Sequence, residues 1–185
     1  MIKKLITLAI ISVFLTPFVT AKTADNSTLV KAEKYYRANK FEQAINEYQK
    51  TIIKDTYNKQ ATQGISSSYK QLGDICYQDK EFMRAVNYYR SAMFYIAMYS
   101  VQIKDYEILQ ITSELHTLYN SCMKNLGIKL NAESHYYMGE LLFSIGEYAA
   151  AGFEYSESLS GKKFKERAAI GLGNVFKAIK TDYKL

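Results

Sequence analysis

Proline is almost missing from this chain: the only one is Pro17, so no later residue is barred by its own ring from continuing a helix. Tryptophan is absent. Histidine occurs twice, at His116 and His135, and cysteine twice, at Cys76 and Cys122. Two cysteines exclude a fold framed by several disulfides, and neither Cys-x-x-Cys nor His-x-x-x-His spacing offers a metal-ligand set. A glycine-rich phosphate loop, a nucleophile elbow and a dinucleotide fingerprint are lacking too. No residue is left on which to rest a reaction, so the expectation is a protein that is not an enzyme and needs no cofactor or metal. Beyond residue 21 there are no alternating apolar and polar runs of useful length, which leaves an all-α fold.

The first 21 residues stand apart. Lys3 and Lys4 precede an apolar run from Leu5 to Val19, and Val19-Thr20-Ala21 supplies small residues suited to signal peptidase. That run is shorter than the roughly 20 residues that span a bilayer, and Pro17 interrupts its end. The pattern predicts a cleaved secretory signal peptide over 1–21 and an exported, periplasmic or secreted chain over 22–185. No later stretch is apolar enough to span a membrane.

What the rest contains is repetition. One copy reads Tyr69-x-x-Leu72-Gly73-x-x-Cys76 and then Phe82-x-x-Ala85-x-x-x-Tyr89-x-x-Ala92. Another reads His135-x-x-Met138-Gly139-x-x-Leu142, Gly146, then Tyr148-x-x-Ala151-x-x-x-Tyr155-x-x-Ser158. Ala32-x-x-Tyr35 precedes Phe41-x-x-Ala44-x-x-x-Tyr48-x-x-Thr51, and Ala169-x-x-Leu172-Gly173-x-x-Phe176 repeats a first half alone. Bulky residues three or four apart lie on one helical face, and a polar break near Asn39-Lys40, Asp79-Lys80 or Ser144-Gly146 divides two such faces. Each copy is therefore read as a helix–turn–helix. Gly73, Gly139 and Gly173 share a register, and a helical Gly costs roughly 1 kcal/mol relative to Ala, which points to close helix approach at that place. A lone hairpin leaves its apolar face in water, so neighbours are expected to stack.

These residues resemble the tetratricopeptide repeat over about two thirds of the segment from residue 22 on. The resemblance implies a tetratricopeptide-like α-solenoid, with hairpins at about 27–54, 66–100 and 132–160 and a capping helix at about 164–180; a spacer at Asp55 to Asn58 allows the first helix of the second hairpin to begin early, near Gln60. It also implies a scaffold or adaptor that binds a protein or peptide, and the exported members of the family suggest assembly or maintenance of bacterial envelope machinery. In that family the concave face is lined by the first helix of each hairpin. Aligning the copies places Glu33, Asp74 and Glu140 in one column, with Asn174 in the capping helix, and Tyr36, Tyr77 and Phe143 in the next; Tyr136 and Tyr137 join that face. A carboxylate one turn from an aromatic ring suits Lys or Arg on an extended peptide. Rings at this register also serve packing. The family's capture of a C-terminal carboxylate by Lys and Asn is not implied, because Leu29, Glu33, Tyr136 and Glu140 stand at those places.

Residues 101–131 admit two readings. Spacing allows a degenerate hairpin turning at Thr112-Ser113, but Tyr106 and Leu118 would then replace small residues. Ile108, Ile111, Leu115, Leu118, Cys122 and Leu126 instead mark one face of a single helix over 105–126, begun by Asp105 and stopped by Gly127, which is the favoured reading. Cys76 and Cys122 each lie late in a helix on an apolar face. They are either a disulfide in an oxidising compartment or two small buried hydrophobes.

The formal net charge of +6 is uneven: residues 161–185 hold seven Lys and Arg against Glu166 and Asp182. Lys162, Lys163, Lys165 and Arg167 sit at the start of the last helix, the wrong end for the helix dipole. This basic surface is either a solvated cap or a contact for an anionic membrane surface or acidic partner. That suggests a second reading, a structural subunit packed into an envelope complex or onto a membrane. Nucleic acid is not expected as a partner of an exported chain whose basic segment lacks a repeated alternation of aromatic and basic residues.

Overall fold

The computed structural model describes residues 26–100 and 106–182. The predicted leader over 1–21 and Asp105 lie outside them. Among the described residues there are eight α-helices and no strand, so the fold is all-α: α1 (Asn26–Arg37), α2 (Phe41–Lys54), α3 (Lys59–Gln78), α4 (Phe82–Ser100), α5 (Tyr106–Asn125), α6 (Ala132–Ser144), α7 (Tyr148–Ser158) and α8 (Lys165–Asp182). The chain divides into two compact units between Ile128 and Lys129. One contains α1 to α5 and the other α6 to α8.

In the first unit each helix packs on its neighbour in the chain, with lighter contact between α1 and α3 and between α3 and α5. Polar contacts give the direction of the last pair. Lys59 reaches Glu107 (2.8 Å), Lys70 reaches Glu114 (3.2 Å) and the Asn125 amide donates to the Tyr77 hydroxyl (3.5 Å), so α3 and α5 run side by side in the same sense. Residues 106–125 form one helix rather than two. In the second unit α6 packs on α7 and α7 on α8, again with lighter contact between the first and third.

Four helices end in the same way. The amides of Lys40, Glu81, Ile128 and Glu147 donate to the carbonyls of Tyr35, Cys76, Met123 and Leu142, at 2.8 to 3.0 Å. Each pairing spans five residues and is preceded by a residue at positive φ: Asn39, Lys80, Gly127 and Gly146. This is the Schellman closure, which satisfies carbonyls that the helix end would otherwise leave bare. At the opposite ends, Asn58 caps α3 by accepting from the Ala61 amide and Asn131 caps α6 by accepting from Ser134.

The small residues serve tyrosines. Ala44, Ala85 and Ala151 are fully buried. A Cβ added to Gly73 would lie 2.5 Å from the Tyr89 ring, and one added to Gly139 would lie 2.8 Å from the Tyr155 ring. Gly64 in α3 presses on the Tyr48 ring and Gly171 in α8 on the Tyr155 ring. Gly173 departs from the expected register, having nothing within 4 Å. α8 turns Ala168, Gly171 and Val175 inward, and Gly173 falls off that stripe.

Candidate functional site

In each hairpin one buried tyrosine of the second helix ends on a carboxylate of the first. The Tyr48 hydroxyl donates to Glu33 (2.9 Å), Tyr89 to Asp74 (2.8 Å) and Tyr155 to Glu140 (2.6 Å), each across 15 residues of chain. The acid follows the small residue that the ring packs under or that shares its register, so Ala32-Glu33, Gly73-Asp74 and Gly139-Glu140 are three versions of one device. Burial first, and then the neighbouring carboxylate, raises the pKa of all three tyrosines well above the ordinary range. They stay protonated and remain donors.

The acid column predicted from sequence is therefore engaged, and unequally so. Glu33 also accepts from Arg37 Nε (3.0 Å); that bond and the Tyr48 hydroxyl hold its carboxyl below the usual range. Asp74 pairs with Lys70 (2.9 Å), which also reaches Glu114. Burial opposes the Lys70 charge, but its two carboxylates outweigh that and raise its pKa. Glu140 is exposed and accepts from the Tyr155 hydroxyl. Asn174 is exposed on α8.

The ring column is likewise used within its own hairpins. Tyr36 meets Phe41 edge-on (5.6 Å between centroids), Tyr77 meets Phe82 in the same way (5.4 Å), and Phe143 tilts against Tyr148 (5.3 Å). All three are half-buried and brace the turn between their helices. Tyr136 and Tyr137 separate. Tyr136 is only 4% exposed, stacked on Phe164 with the Arg167 guanidinium 4.8 Å above its ring, whereas Tyr137 is 54% exposed.

In the first unit Glu33 and Tyr36 line one wall of a cleft of about 200 Å³ between α1 and α3. Gln60, Gln63 and Ser67 form the other wall, over a floor of Tyr48 and Gly64. Sequence reasoning missed these three because the repeat pattern begins at Tyr69, while α3 begins ten residues earlier. Their spacing, continued by Asp74 and Tyr77, was the available signal. The cleft offers a carboxylate, a ring and two side-chain amides that both donate and accept, a set suited to an extended peptide.

The other candidates fall as follows. Lys162, Lys163, Lys165 and Arg167 are all exposed around the first turn of α8; Lys163 lies 3.7 Å from Glu133 and over the Phe164 ring. Cys76 and Cys122 are free thiols, both buried, and burial pushes the Cys122 thiol up to about 11. Such thiols are poor nucleophiles near neutral pH. His135 of α6 holds the fully buried Glu154 of α7 at 2.6 Å, an arrangement internal to that hairpin. Among the described residues no group of three or more His, Cys, Asp or Glu side chains is placed to hold a metal ion, and no helix is long and apolar enough to cross a membrane.

Comparison with protein-family models, with curated proteins and with solved structures finds no match to this chain.

Proposed function

We propose that the chain is an exported binding scaffold of the tetratricopeptide kind, which holds a protein or peptide partner against the first helices of its hairpins and carries no reaction of its own. One observation supports this most: three hairpins repeat a carboxylate positioned by a buried tyrosine hydroxyl, at the same register, on helix faces that remain open to solvent. Within the first unit, the repetition of a positioned acid at Glu33 and Asp74 supports recognition of a peptide there, and Glu140 supports it separately in the second unit. Export, and a place in the assembly or upkeep of a bacterial envelope, rest on the leader-like first 21 residues. The test is affinity capture of the chain from an envelope extract, followed by cross-link mapping. Cross-links from a reproducible partner onto α1, α3 and α6 are expected; cross-links confined to other helices would overturn the assignment of the face.

A second reading is favoured by the exposed basic turn at α8, where Lys162 and Lys165 make no ion pair with any described residue. There the chain is a structural subunit, docked on an anionic membrane surface or complex. High salt should release such a subunit, and so should changing Lys162, Lys163, Lys165 and Arg167 to Gln.

A further inference from the structure

A second cleft opens on the first unit at the turn ends of its two hairpins, away from Gln60, Gln63 and Ser67. It measures about 330 Å³, at the low end of the roughly 300–1,000 Å³ usual for ligand pockets, and so is sized for side chains rather than a cofactor. Its floor is apolar, made by Phe41, Leu72 and Cys76, all buried. Burial raises the Cys76 thiol above its ordinary range, which keeps this part of the floor neutral. Ile75 stands at the edge with 47% of its surface in water. A lone exposed Ile is ordinary; an exposed Ile bordering a hollow with an apolar floor extends that floor outward.

The rim carries the opposite chemistry. Glu42, Asp79 and Glu81 surround the opening together with Arg84. Arg84 is bound to Glu81, so that pair is neutral, while Glu42 and Asp79 make no ion pair with any described residue. The opening is thus net negative on a chain whose formal charge is positive. An acid rim repels phosphates and carboxylates and attracts ammonium and guanidinium groups.

We propose that this cleft is a docking site for a basic segment of a protein partner, taking one apolar side chain such as Leu onto the Phe41–Leu72–Ile75 floor while flanking Lys or Arg residues face Glu42 and Asp79. The apolar anchor supplies affinity and the flanking charges supply orientation. This site does not depend on the acid column, since none of its residues belongs to it.

The probe is a fluorescein-labelled peptide, acetyl-Lys-Lys-Leu-Leu-Lys-Lys-amide, titrated into the full chain and followed by anisotropy. Two companion peptides replace either both Leu by Ser or all Lys by Glu. Saturable binding is expected for the first peptide, weakened roughly tenfold or more by either replacement. Ile75→Ser and the double variant Glu42→Lys/Asp79→Lys should each weaken it similarly. The proposal is overturned by failure of the first peptide to bind. Equal binding of the Ser peptide, which would mark charge attraction alone, overturns it too, as does affinity that withstands both protein variants. The comparison among peptides needs no altered protein, so it can overturn the proposal even where a variant folds poorly.

Discussion

At the scale of single residues, the glycines separate packing from propensity. Gly73 and Gly139 lie where a methyl group would drive into a tyrosine ring wedged against its hairpin, whereas Gly173 faces open space on an equally regular helix. Gly73→Ala is expected to destabilise the fold by about 1–3 kcal/mol through overpacking. Gly173→Ala should stabilise it by about 0.5–1 kcal/mol, because only the backbone entropy of a helical glycine is relieved. Urea unfolding of the two variants beside the parent checks both signs. The tyrosine hydroxyls give a second prediction. Tyr89→Phe should cost about 1 kcal/mol, the net worth of one hydrogen bond, since Asp74 keeps Lys70 and does not become a stranded charge.

At the scale of helices, the turns carry a cost that the sequence need not bear. Lys80 sits at φ 62 between α3 and α4, where a side chain is disfavoured and glycine is not, while Gly127 and Gly146 occupy the equivalent places. Lys80→Gly is expected to raise stability by about 0.5–1 kcal/mol, read as a higher urea midpoint at unchanged slope. The helices themselves were legible because bulky residues recur at helical spacing and the turn polar pairs punctuate them. The start of α3 was legible as an early beginning near Gln60 behind a spacer at Asp55 to Asn58, although Lys59 to Ser68 lies outside the repeat pattern; the Asn58 cap sets that boundary together with the tight seat of Tyr48 on Gly64. The register in α8 was not legible. Gly173 matches the motif, but which glycine meets a ring is decided by how α8 lies on α7, a tertiary fact that spacing does not carry.

The acid column was legible as a column and not as a set of bonds. Glu33, Asp74 and Glu140 could be aligned from the copies, and the tyrosines 15 residues on stood in the same motif, yet only the crossing of two helices shows that hydroxyl and carboxylate meet. The same crossing shows Tyr136 beneath Arg167, where sequence alone placed it on the open face.

At the scale of the whole molecule, these bonds set a pH window. The three tyrosines have folded pKa values above the ordinary 10.0, so the stability they contribute is complete below about pH 10 and is lost as the pH climbs through the folded values. Glu33 is shifted the other way. The same holds for Glu47, where burial raises the pKa but Lys31 and Lys50 more than offset it, so the contribution of both is present above the ordinary 4.5 and lost as the pH falls through their depressed values. A melting-temperature profile should be flat between about pH 5 and pH 9, where the buried Cys76 and Cys122 thiols begin to matter, and fall on both sides. Loss of stability beginning between pH 7 and 9 would count against the tyrosine–carboxylate bonds.

The central claim is that the positioned carboxylates hold the partner, and charge reversal is a poor way to test it because Lys at these sites would strand three tyrosine hydroxyls. The variant Glu33→Gln, Asp74→Asn and Glu140→Gln keeps an acceptor for each hydroxyl and removes only the charge. Quantitative capture from an envelope extract with parent and triple variant side by side is therefore the most direct measurement. The partner held by the parent should be lost by a variant that still folds; capture of the same partner in the same amount by both would contradict the account.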